Sequence, residues 1–154
     1  MERLDVGAFM KTNGAAIVAC VGLFTWGTVM ATNVLRSRVP DSELAATRAI
    51  KNPLQYTPEA LEAGNTIYHR KGFCVACHGP SGQGFTGVDP ALLKGAVPTD
   101  FTKPAWQTAR TDGELMWVLR HGSPGTAMAS FVPSVLTEEQ AWQVIHYLRS
   151  LGGR

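Results

Sequence analysis

Cys74-Val75-Ala76-Cys77-His78 decides the reading of this chain. Two thiols separated by two residues can reach the two vinyl groups of one porphyrin, and the histidine that follows can give the iron an axial nitrogen. Competing readings are a redox dithiol, which needs a βαβ surround, and half of a zinc site, which needs a second ligand pair. The sequence offers neither. The remaining cysteine, Cys20, stands in an apolar stretch near the start. The motif therefore points to one covalently attached haem c, and the sulfurs it consumes leave no disulfide framework.

Working outward, the segment before the motif opens with Thr57-Pro58-Glu59, an N-cap threonine, a proline at the first helical position and an acid near the positive end of the dipole. Ala60, Leu61, Gly64, Ile67 and Tyr68 then fall on one face at helical spacing. Gly64 costs such a helix about 1 kcal/mol relative to alanine, which close approach of another helix would explain. After the motif, residues 79–95 are glycine-rich and aperiodic. Residues 96–110 read as irregular too, with Pro98 and Pro104 as breakers. Thr111-Asp112-Gly113-Glu114 is a capping box ahead of Leu115, Val118 and Leu119; His121-Gly122 ends that helix. Thr137-Glu138-Glu139-Gln140 opens a last helix whose stripe is Ala141, Val144, Ile145, Leu148 and Leu151. No strand-like alternation occurs, so the fold class is all-α.

With 154 residues and a net charge of +2, the chain has one domain's length and no basic stripe of the kind nucleic acid selects. Residues 12–35 hold no charge, and the 22 residues from Gly14 to Leu35 would reach about 33 Å as a helix, enough to cross a bilayer core of about 30 Å. The organisation expected is a cytoplasmic segment at 1–13, a single transmembrane anchor at 14–35, a polar linker at 36–56 and the helical domain at 57–154. Within the linker, Pro40-Asp41 could start a short helix that Asn52-Pro53 would stop. A cleavable signal peptide ending at Ala31 is the rival for the apolar span, though its length exceeds the usual apolar region of such peptides.

An iron held by His78 needs a sixth ligand or an open site. The candidates are His69, His121, His146, Met116 and Met128. Met128 stands in the loop Gly125-Thr126-Ala127-Met128-Ala129, where a thioether can turn to iron. Met116 falls inside a helix, where packing is the ordinary role. His69 lies too close to the motif to wrap round to the other haem face. For His146 the plain expectation is an exposed or capping histidine, and for His121 a cation at a helix end.

Residues 57–151 resemble the class I c-type cytochromes, particularly the small haem modules of respiratory complexes. The resemblance rests on Gly64 and Tyr68 ahead of Cys74-Val75-Ala76-Cys77-His78-Gly79, on Gly82-Gln83-Gly84 and on Asp89-Pro90-Ala91-Leu92. It continues through residues 112–122, Pro124-Gly125-Thr126-Ala127-Met128 and Tyr147-Leu148. It implies a cytochrome c-like helical domain around one haem, with His78 and Met128 as iron ligands and Cys74 and Cys77 as thioethers. It implies that the Pro90 carbonyl receives the other ring N–H of His78, and that Gly64 and Tyr147 meet where the first and last helices cross. Where relatives carry proline after the ligand methionine, this chain has Ala129, which should leave the loop freer.

The function implied is single-electron transfer without bond chemistry, as subunit of or tethered shuttle to a membrane-embedded respiratory or photosynthetic complex, or to another cytochrome. Alternatives are a soluble periplasmic carrier freed by signal cleavage, and a haem enzyme or sensor with a labile distal ligand. Lys and Arg flanking the span would put the domain in the cytoplasm. Haem c is attached outside it in bacteria, so the resemblance places the domain on the periplasmic side of the inner membrane.

Overall fold

A computed structural model describes residues 35–153 apart from 85, 86, 88, 90, 94 and 95. The segment expected at 1–13, the anchor expected at 14–35 (Leu35 apart) and Cys20 lie outside these residues. Among the described residues no helix is long and apolar enough to cross a membrane, and all regular structure is helical. The helices are α1 (Asp41–Ala49), α2 (Pro58–His69), α3 (Val75–His78), α4 (Pro104–Ala109), α5 (Asp112–His121) and α6 (Glu138–Ser150).

Helix starts follow local chemistry. The Thr57 hydroxyl accepts from the Ala60 N–H, and Pro58 takes the first turn, where its missing donor costs nothing. Capping boxes open α5 and α6: Thr111 with Glu114, and Thr137 with Gln140, each side chain closing on the other residue's backbone N–H.

The core forms where α2 crosses α6. A Cβ built on Gly64 would stand 2.1 Å from the Gln143 carbonyl oxygen and 3.0 Å from the Tyr147 Cβ. The glycine is therefore the contact itself. Around it Tyr68, Ile145, Val144, Leu136 and Met116 are sealed from solvent. Tyr68 donates its hydroxyl proton to the Gly79 carbonyl at 2.7 Å, which ties α2 to the turn after α3. Arg149, on α6, is buried and fully engaged. It bonds Asp112 at 2.7 Å, the Gln107 carbonyl at 2.9 Å and the Arg110 carbonyl at 2.6 Å, fastening α4 and α5 to the last helix.

Two expectations need correction. Residues 96–110 are not wholly irregular, because Pro104 starts α4, pre-organised for a first helical turn and held by burial of Trp106 and Gln107. The stretch 36–56 is not a free tether: α1 forms as expected, but it lies against α5. A Cβ on Gly113 would meet the Thr47 carbonyl oxygen at 1.9 Å, Trp117 donates its indole N–H to Glu43 at 3.0 Å, and Val39 and Thr47 are buried.

Glu114 is the charged centre of that contact. Burial pushes its carboxyl up, but hydrogen bonds from Ser37, the Thr111 N–H and Arg48, with the Arg48 charge, overcome this and hold it below the ordinary range. A group whose folded pKa lies below its unfolded value stabilises above the unfolded pKa, and loses that contribution as pH falls through the folded one. Glu114→Gln should therefore lower stability on the order of 2 kcal/mol at neutral pH while flattening the acid limb of the stability profile. Urea midpoints between pH 7 and pH 3 check this. Parallel wild-type and variant profiles would contradict it.

Candidate functional site

The donors of the motif stand on one wall of a cleft. The turn between α2 and α3 forms because the Gly72 N–H bonds the Ile67 carbonyl at 2.8 Å and the Cys74 N–H bonds the Tyr68 carbonyl at 2.9 Å. Phe73 takes a left-handed φ of 48° between them, a strained setting for a side chain of that size. Cys74 then leads into the single turn of α3, so Cys74, Cys77 and His78 share one short rigid piece.

Each group is tuned by its surroundings. Burial pushes the Cys74 thiol up to about 11, so it is protonated at neutral pH. That is opposite to the lowered thiol of a redox dithiol. Burial lowers the His78 imidazole, partly opposed by the Thr99 carbonyl, which lies 3.1 Å from Nδ1. A carbonyl only accepts, so Nδ1 carries the proton and Nε2 presents its lone pair to a metal. Phe101 stacks on the ring, with centroids 4.4 Å apart and an interplanar angle of 24°, and fixes its plane.

Among the described residues the Thr99 carbonyl is the partner of this nitrogen; Pro90, expected to receive the ring N–H, lies outside them. A backbone carbonyl carries no side-chain signature, so nothing in the sequence marks residue 99 for this bond. The Phe101 ring, like Thr99, comes to His78 from a stretch distant in sequence, so neither is foreseen from the motif.

Met128 lines the same cleft from the loop after α5. The backbone beside Ala129 is bonded at several points. Gly122 turns at φ 74°, the Ser123 N–H bonds the Met128 carbonyl at 2.9 Å, and the Thr126 hydroxyl accepts from the Met128 N–H at 3.1 Å while donating to the Ser123 carbonyl at 2.7 Å. Phe131 donates its N–H to the Leu119 carbonyl at 2.7 Å. These bonds hold the backbone without the proline.

The other sixth-ligand candidates are engaged elsewhere. His69 has its ring nitrogens 3.0 Å from the Asn65 and Pro80 carbonyls. His121 bonds the Trp117 carbonyl and stacks on Trp117. His146 is not exposed: only 6% of it meets solvent, with Nε2 3.1 Å from the Leu54 carbonyl. Met116 is core. Trp106 is buried and lines the cleft, whereas Trp117 is outside the lining.

The cleft encloses about 260 Å³, far beyond the roughly 30 Å³ of one water, and its walls are mostly apolar. Two thiols, an imidazole with a free Nε2 and a thioether around such a space fit a covalently held haem, whose iron takes nitrogen and sulfur ligands. Among the described residues no group of three or more His, Cys, Asp or Glu is placed to hold a bare metal ion.

Comparisons with known proteins agree with this geometry. The cytochrome c family model matches residues 61–152. A chain of the reducing HAO-like protein complex Kustc0457/Kustc0458 of Kuenenia stuttgartiensis superposes with a TM-score of 0.52 at 29% sequence identity, over 64% of this chain and 46% of that one. The match thus spans less than half of that neighbour. No curated protein matches the sequence.

Proposed function

The chain belongs to the cytochrome c family, and from that premise we propose that it is a mono-haem electron carrier anchored to the membrane, working as a subunit of a larger redox complex or as a tethered shuttle to one. Membership brings covalently bound haem c and electron transfer. The observation that carries the site assignment is the meeting of Cys74, Cys77, His78 and Met128 in one apolar cleft. The haem supplies a one-electron couple when bound. The chain does the rest: Cys74 and Cys77 fix the ring covalently, and His78 offers Nε2 with its orientation set by Thr99 and Phe101. Met128 would supply the second iron ligand, which would leave no site for a substrate and so favours electron transfer over bond chemistry.

The anchor is supported by the uncharged span at 14–35, and the complex by the likeness to a chain of the HAO-like assembly. A carrier held in the bilayer meets membrane partners at a raised effective concentration. Covalent haem c attachment favours the periplasmic face of a bacterial inner membrane.

Purification in mild detergent, with haem counted by pyridine haemochrome and the mature N-terminus read by mass spectrometry, tests the proposal. We expect one haem c per chain, an intact residue 14–35 segment and recovery in the membrane fraction. A chain cut after Ala31 and recovered in the soluble fraction would sink the anchor. A chain with no haem c would sink the whole reading.

A further inference from the structure

Residues 36–56 precede the stretch that the family model matches, 61–152, yet they are fastened to the domain at short intervals. The Arg36 carbonyl accepts from Arg110, Val39 and Thr47 are buried, and Glu43 accepts the Trp117 indole N–H at 3.0 Å. α1 lies so close on α5 that its Thr47 carbonyl oxygen fills the space a Cβ on Gly113 would need. Beyond α1, Asn52 donates its amide to the Trp142 carbonyl at 3.0 Å, and the Leu54 carbonyl stands 3.1 Å from His146 Nε2. Tyr56 then meets the His146 ring edge-on, with centroids 5.2 Å apart. The segment thus grips α5 first and α6 next. Its sequence suits that role. It holds no glycine and carries Pro40 and Pro53, whereas a swinging linker draws on glycine and serine.

A tether that lets a domain swing needs slack, and this one has almost none. The uncharged span read above as the anchor ends at Leu35, and Arg38 already lines the cleft. The three residues from one to the other reach at most about 10 Å when fully extended. Buried Val39 follows at once. One wall of the cleft is therefore held within that distance of the end of the span. Ordering these residues also costs conformational entropy that a plain tether would keep.

We propose that residues 36–56 are a clasp that fixes the haem domain in one attitude at the bilayer surface, with the Arg38 edge of the cleft toward the membrane. The chain then serves as a fixed subunit and not as a swinging shuttle. The inference rests on the anchor reading above. A domain so held reaches only a redox group that lies beside the end of its own span. The partner that fits is a membrane-embedded redox protein whose electron-exchanging group stands close to the bilayer surface.

Two variants open the clasp from different sides. Gly113→Ala favours the α5 helix but puts a methyl group where the Thr47 carbonyl oxygen lies, which must lift α1. Ala45→Pro breaks α1 from within and leaves residues 61–152 untouched. They strike different elements, so misfolding of one leaves the other to decide. Full-length holoprotein, wild type and variants, is reconstituted in phospholipid bilayers and stacked as oriented multilayers. The paramagnetic resonance of the oxidised haem iron is recorded as the stack is turned in the field. The wild-type signal should change with tilt, and the variants should lose that dependence at unchanged haem content. Trypsin, offered Arg36, Arg38, Arg48 and Lys51, should release the haem domain from vesicles several-fold faster in the variants. A wild-type signal indifferent to tilt, or variants as well oriented and protected as the wild type, would overturn the clasp. Recovery of the wild type in the soluble fraction would instead overturn the anchor beneath it.

Discussion

Gly64→Ala is expected to destabilise the domain by about 3 kcal/mol or more, at or beyond the upper end of ordinary overpacking costs. Helix propensity alone predicts the opposite, since alanine is better than glycine by about 1 kcal/mol inside a helix. Steric contact outweighs it here. The new methyl would lie 2.1 Å from the Gln143 carbonyl oxygen, and backbone cannot swing away as a side-chain tip can. α2 and α6 must separate along the crossing that buries Tyr68, Val144, Ile145 and Leu148. A domain of this size is stable by only about 5–15 kcal/mol, so the urea midpoint should fall far. The Tyr68 hydroxyl would also be drawn off the Gly79 carbonyl, next to the thiols and His78. Loss of stability and loosening of the haem attachment should then appear together. An unchanged or raised midpoint would mean that the helices do not touch at this glycine.

That contact was legible in the sequence because a glycine inside a strong helical stripe asks for a reason. The starts of α2, α5 and α6 were legible for another cause: Thr57, Thr111 and Thr137 satisfy donors within three residues, and such chemistry is local. The motif named its own three donors. What stayed hidden is long-range. Nothing at Gly113 announces the Thr47 carbonyl, and nothing at Thr99 announces His78, since both contacts use backbone oxygens. A missing proline was visible, but the threonine hydroxyl that braces Met128 acts only once the loop has closed.

Met128→Ala should convert a haem iron closed to ligands into one that binds carbon monoxide stoichiometrically, with loss of the thioether–iron absorption band and a lower reduction potential. The fold should survive the change. The loop is held by backbone and Thr126 bonds that do not involve the thioether, and Met128 is only partly buried. Met116→Ala makes the contrast, because that side chain is 1% exposed in the core. Its truncation should cost about 2–5 kcal/mol of stability and leave the iron closed. The histidines offer no substitute for Met128, since His69 and His146 already face carbonyls and His121 stacks on Trp117. Carbon monoxide difference spectra of the two variants and the wild type separate the readings. A Met128→Ala protein that stays inert to the gas would place the sixth ligand on another residue. A wild type that binds it readily would point to a haem enzyme or sensor, because a carrier whose ligand falls away loses the small reorganisation that two fixed protein ligands provide.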